Sequence, residues 1–70
     1  MDKLFKTLGK RLSDRRKNLN ISQEYLAEIC GLHRNYIGYV ERAEKKVSLL
    51  TLQKITKALK INLEDLFKGF

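Results

Sequence analysis

Between Leu32 and Arg42 the chain reads LHRNYIGYVER, which crowds His33, Arg34, Asn35, Tyr36, Tyr39 and Arg42 into one short segment beside Gly38 and a lone acid, Glu41. A guanidinium can bond the O6 and N7 of guanine bidentately, and a carboxamide can bond the edge of adenine. Residues for other chemistry are sparse. Cys30 is the only cysteine and His33 the only histidine, so an internal disulfide has no second thiol and zinc has too few of its customary ligands. No nucleophile–base pair and no carboxylate pair stands out. The residues therefore call for hydrogen bonding rather than catalysis, and for no cofactor.

Apolar residues at helical spacing place these side chains. Leu4, Leu8 and Leu12, with Phe5 beside them, predict a first helix from about Asp2, its N-cap, to about Asn18. Asn20 breaks it, and Ser22 caps a second helix, QEYLAEIC, with Glu24 in its first turn. Gly31 can take the left-handed conformation that ends that helix. A third helix is expected over residues 33–42, followed by the basic connection AEKKV. Ser48 caps a fourth, striped by Leu49, Leu52, Ile55 and Leu59, and Asn62 with Asp65 starts a fifth in an arrangement resembling a capping box. The expectation is one compact all-α domain over residues 1–70.

Charge narrows the partner. Lys and Arg total 15 against 8 acids, a formal net charge of +7, which on a small chain favours a polyanion, nucleic acid before an anionic membrane surface. The first residues, MDKLFKTLGK, lack the apolar core of a signal peptide, and no apolar run approaches a membrane span. A reducing cytoplasm is the expected location, and Cys30 is read as a small buried hydrophobe.

The short link at Gly31 would hold the second and third helices at a steep angle, the geometry of a helix-turn-helix. Ala27 offers the small residue such a crossing needs, and Ile37 and Val40 supply branched anchors on the third helix. Gln23, Ala27, Gly31, Leu32, Ile37, Val40 and Glu41 together resemble the signature of the Cro/C1-type (XRE-like) helix-turn-helix family, and the likeness continues through SLLTLQKITKAL and NLEDLF. Within that family GLHRNYIGYVER, with its basic loop and VSL, is most similar to controller proteins of restriction-modification systems. Phage and plasmid repressors share much of the pattern, and an antitoxin of a toxin–antitoxin pair, which would add a protein partner, is the alternative function from the same fold. The resemblance implies a five-helix, lambda-repressor-like DNA-binding domain.

Rotating the third helix by about 100° per residue places Ile37 and Val40 on one face and Asn35, Tyr39 and Arg42 nearly opposite, with Gly38 beside them and Arg34 at the N-terminal edge. On this reading the polar crowd faces solvent on a helix slim enough for a DNA major groove, and Gly38 bares backbone there. Arg34, Asn35, Tyr36, Tyr39 and His33 are the candidate base-contacting residues, Tyr36 at the helix flank. Glu41 falls within about 40° of Ile37 and so turns inward, where a carboxylate needs a cation or several donors. The resemblance implies that Arg16 is that cation. It also implies phosphate contacts from Gln23 at the start of the second helix, from Lys45 and Lys46 in the basic loop and from Thr51; Arg42 joins this phosphate-contacting set.

Two departures from the family pattern stand out. Relatives commonly carry Gly where Ala43 and Lys60 stand, and a left-handed conformation at either would cost on the order of 1 kcal/mol. The path of the loop through residues 43–46 is thereby open. One short helix reads too few base pairs for specific binding among genomic competitors, so a homodimer on a partly palindromic, double-stranded DNA operator is expected. Its predicted interface is Leu63, Leu66, Phe67 and Phe70. RNA polymerase is a further expected partner of such a regulator. A protein-interaction module whose charge serves an acidic partner remains the alternative from another class.

Overall fold

A computed structural model describes residues 3–70; the expected cap Asp2 lies outside them. Five helices follow in order: α1 Lys3–Asn18, α2 Gln23–Ile29, α3 Tyr36–Glu41, α4 Leu49–Ala58 and α5 Leu63–Leu66. The described residues contain no strand, so the architecture is all-α.

Side-chain caps begin three of these helices. Ser22 Oγ accepts from the Tyr25 N–H at 3.0 Å, Ser48 Oγ from that of Thr51 at 3.1 Å, and Asn62 Oδ1 from that of Asp65 at 2.7 Å. Each satisfies a donor that the first helical turn leaves without a partner. Among the described residues, α1, α2, α3 and α4 all end alike, on a residue in the left-handed region: Asn20 (φ 59°), Gly31 (φ 69°), Ala43 (φ 60°) and Lys60 (φ 57°). In each case the next N–H reaches back to the carbonyl five residues earlier: Ile21 to Arg16, Leu32 to Ala27, Glu44 to Tyr39 and Ile61 to Thr56. This is the Schellman termination. Ala43 and Lys60 thus adopt the conformation in which a side chain is disfavoured.

Lys60 is exposed, so Lys60→Gly removes the steric penalty without losing buried surface. After the entropy that glycine adds to the unfolded chain, the expected gain is about 0.5–1 kcal/mol. Urea unfolding measures it, and an unchanged midpoint would count against strain at this turn. The buried Ala43 methyl makes the equivalent gain at that position smaller.

The helices close on one core of Leu8, Leu12, Leu26, Ala27, Ile37, Val40, Leu52, Ile55, Leu59 and Leu66. Within it α1 lies against α3 and α5, and α2 against α3 and α4. Two members of the expected stripes are outside it: Leu4 and Leu49, each in the first turn of its helix, are exposed. The approach of α1 to α3 depends on Gly9. A Cβ there would stand 2.5 Å from the Glu41 carbonyl oxygen and 2.7 Å from that of Val40, and backbone cannot step aside as a side chain can. Overpacking of this kind costs about 1–3 kcal/mol, and Gly9→Ala is expected to lose about 2 kcal/mol despite the better helix propensity of alanine. A thermal melt at or above that of the parent chain would refute the close approach.

Candidate nucleic-acid interface

The turn at Gly31 brings α2 and α3 together as an angled pair. Ala27, with no exposed surface, lets α3 settle against α2, and Ile37 and Val40 point into the core. The regular helix is shorter than expected. It begins at Tyr36 rather than His33, and His33, Arg34 and Asn35 form the turn before it, closed by the Tyr36 N–H on the His33 carbonyl at 2.9 Å. The sequence-based start is therefore three residues early, because the left-handed Gly31 and the non-helical Leu32 leave only one tight turn before regular helix can begin.

That turn still carries the leading edge. His33, Arg34 and Asn35 are exposed. Arg34 makes no hydrogen bond or ion pair among the described residues, and Asn35 makes no side-chain cap bond. His33 Nδ1 accepts from the Asn35 N–H at 3.2 Å. Tyr36 and Tyr39 are both half-buried, and Tyr36 packs against the core at the helix flank. Lys46 is exposed in the loop, while Lys45 Nζ lies 5.8 Å from the centre of the Tyr39 ring. Thr51 is half-buried, its Oγ1 accepting from Ser48 Oγ at 3.0 Å.

Behind this edge lies a buried polar cluster. Arg16 Nε donates to Glu41 Oε2 at 2.7 Å and another Arg16 nitrogen donates to Oε1 at 3.2 Å, with side-chain exposures of 11% for the arginine and 6% for the acid. Arg16 also donates to the Ile21 carbonyl at 2.8 Å, and Gln23 Nε2 donates to Glu41 Oε1 at 2.8 Å. Together these bonds join α1, α2 and α3. One Gln23 amide donor, on a side chain read as a phosphate contact, is engaged by Glu41, and the residue is half-buried. One expectation changes. Gly38, read as bare backbone on the outer face, is buried under that glutamine and Arg42: a Cβ on it would meet an Arg42 nitrogen at 2.9 Å and Gln23 Oε1 at 3.3 Å.

Arg42 itself is drawn aside. Its Nε and a terminal nitrogen donate to the two Glu44 carboxylate oxygens at 3.1 and 3.3 Å, and its guanidinium lies 5.5 Å from the Tyr39 ring centre. The hydrogen bond to Glu44 raises the Arg42 pKa, keeping the group charged. Two further arginines are held by backbone carbonyls. Arg11 donates to the Leu66 and Lys68 carbonyls at 2.7 and 2.6 Å, and Arg15 to those of Leu59 and Lys60 at 2.9 and 3.3 Å. They satisfy the carbonyls at the ends of α4 and α5. Neither they nor Gly9 figured among the sequence candidates. An isolated glycine inside the helical pattern LFKTLGKRL is the signal that could have found the last.

The predicted dimer residues divide. Leu66 is 1% exposed and belongs to the core, so it cannot line an interface; its place on the inner side of a one-turn helix puts it there. Leu63 and Phe67 are half-buried, and the exposed Phe70 ring meets Phe67 edge-on at 5.6 Å and Arg11 at 4.8 Å. Among the described residues the most exposed large aliphatic side chains are elsewhere, Leu49 and Leu50, 68% and 66% exposed, which share a groove with Gln53 and Leu63.

A family model described as helix-turn-helix matches residues 12–66, covering the angled pair and both flanking sides of it. The chain belongs to the helix-turn-helix family. It is 57% identical over 47 residues to control protein C.SmaI of Serratia marcescens, an alignment covering 67% of this chain and 56% of that protein. The chain thus spans a little over half the length of this curated relative. The fold superposes on the restriction-modification controller protein C.AhdI of Aeromonas hydrophila with a TM-score of 0.85 at 41% identity, over 90% of this chain and 96% of that one. It also superposes on the P22 c2 repressor protein, solved in complex with a synthetic operator, with a TM-score of 0.80 at 33% identity, again over 90% and 96% of the two chains. No helix among the described residues is long and apolar enough to cross a membrane.

Proposed function

We propose that this chain is a sequence-specific DNA-binding transcriptional regulator of the cytoplasm, acting as a homodimer on a partly palindromic operator and serving as the controller of a restriction-modification system. The observation that carries the reading is the leading edge of α3, where the exposed side chains of Arg34 and Asn35 have no partner among the described residues and stand where helix-turn-helix proteins contact base edges. Similarity to C.SmaI and C.AhdI supports the controller role, and similarity to a repressor solved with its operator supports DNA as the ligand. His33, Tyr36 and Tyr39 flank the reading edge, while Lys45, Lys46 and Thr51 supply phosphate contacts beside it. Contact with RNA polymerase belongs to the activating case of this reading.

Self-association is part of the proposal. Leu49, Leu50 and Leu63 form the surface a second copy would cover, and pairing doubles the contacts that one short helix can make. The test is selection from a randomised 30-bp duplex library, followed by titration at several salt concentrations and sedimentation of the protein. The expected result is an enriched motif with two-fold symmetry, affinity that falls steeply with salt, and a dimer that Leu49→Ser with Leu50→Ser converts to a helical monomer. A library that enriches no sequence would leave only an electrostatic, sequence-blind protein.

A further inference from the structure

Beside the reading edge, at the C-terminal end of α3, one cation is already occupied by a carboxylate of its own chain. Arg42 forks onto Glu44 through two hydrogen bonds, lies over the Tyr39 ring, and crosses the backbone at Gly38, where a side chain would collide with it. Glu44 is delivered there by a fixed turn: Ala43 is left-handed and the Glu44 N–H bonds the Tyr39 carbonyl at 2.8 Å. The side chains of the pair are 54% and 53% exposed, so solvent and salt moderate the pair, and an incoming phosphate has to compete with Glu44 for the guanidinium. A guanidinium fork takes a carboxylate or a phosphate in the same bidentate manner. Glu44 therefore fills, in the free protein, a fork that a phosphate could also engage.

We propose that Glu44 is a specificity-determining residue for the DNA binding inferred above: it keeps Arg42 on Gly38 and Tyr39 as part of the base-facing surface and withholds it from phosphates, weakening attachment to unrelated duplex more than to the operator. The asymmetry follows from what each complex rests on. Non-specific binding is almost entirely phosphate neutralisation, with counterion release setting its salt dependence. One cation withheld per protomer lowers that term directly. An operator complex also has base contacts from Arg34 and Asn35, and these are made with the pair intact.

The experiment titrates the parent chain, Glu44→Gln, Arg42→Ala and the double variant against a random-sequence 30-bp duplex and against the duplex recovered by selection, at several salt concentrations. Glu44→Gln is expected to tighten the random duplex roughly 5–10-fold near 0.1 M salt and to steepen its log-affinity against log-salt slope by about 1 per protomer. Affinity for the selected duplex should change less than about 2-fold. In the Arg42→Ala background the same substitution should leave the random duplex within about 2-fold. Equal tightening on both duplexes, an undiminished gain without Arg42, or no change on the random duplex would each overturn the proposal, the first two by reducing Glu44 to diffuse negative charge. A parent chain that binds neither duplex would instead remove the DNA-binding reading itself.

Discussion

Glu41→Ala is expected to destabilise the fold by about 3–5 kcal/mol, the range for removing one partner of a buried ion pair. The acid accepts from two Arg16 nitrogens and from Gln23. Its loss leaves a guanidinium of 11% exposure with only the Ile21 carbonyl to bond. Small domains are stable by about 5–15 kcal/mol in total, so the variant should be largely unfolded on modest heating. A double variant, Arg16→Met with Glu41→Leu, should regain most of the loss, because it leaves neither charge without a partner. Urea unfolding of the parent, Arg16→Met, Glu41→Leu and the double variant closes the cycle, with Glu41→Ala measured beside it. A Glu41→Ala change below about 0.5 kcal/mol would be that of an ordinary surface substitution and would refute the buried network.

Arg34→Ala is expected to cost about 2–6 kcal/mol in operator binding while leaving stability untouched. A bidentate arginine–guanine contact is worth about 1–3 kcal/mol of discrimination, and a dimer makes it twice if the half-sites add. Because the Arg34 side chain is exposed and without a partner among the described residues, its removal disturbs nothing else there. The loss should fall on the selected duplex and relax preference at one base position in each half-site. Lys46→Ala should instead weaken selected and random duplexes by similar factors and flatten the salt slope by about 1 for each phosphate no longer neutralised. Equal weakening of both duplexes by Arg34→Ala would reduce that residue to charge and move base readout to Asn35 and the tyrosines.

Much of the frame was legible along the chain because it rests on short-range signals. Ser22, Ser48 and Asn62 announce helix starts through an oxygen placed to meet an N–H three residues on, and Gly31 announces a turn through its freedom at positive φ. The inward direction of Glu41 followed from helical rotation against Ile37. The same rotation misplaced Gly38, since an angle about a helix axis does not register a long neighbouring side chain folding back over the backbone. It also started α3 three residues early, because the polar run HRN has no breaker between it and YIGYVE.

The sequence by itself determined the helices, their caps, the angled pair at Gly31 and the surplus of positive charge. Only the tertiary structure decided which of those charges remain available. Arg11 and Arg15 close the ends of α5 and α4, Arg16 and Gln23 meet Glu41, and Arg42 is held by Glu44 over Tyr39. Among the described residues Arg34 and Lys46 stay free. The tertiary structure likewise sent Leu66 to the core and left Leu49 and Leu50 outside it. The physical reason is the range of the interactions. Caps and periodicity act within a few residues and are written in local order, whereas a long guanidinium reaches a carbonyl more than forty positions away, a meeting that exists only after the helices have packed.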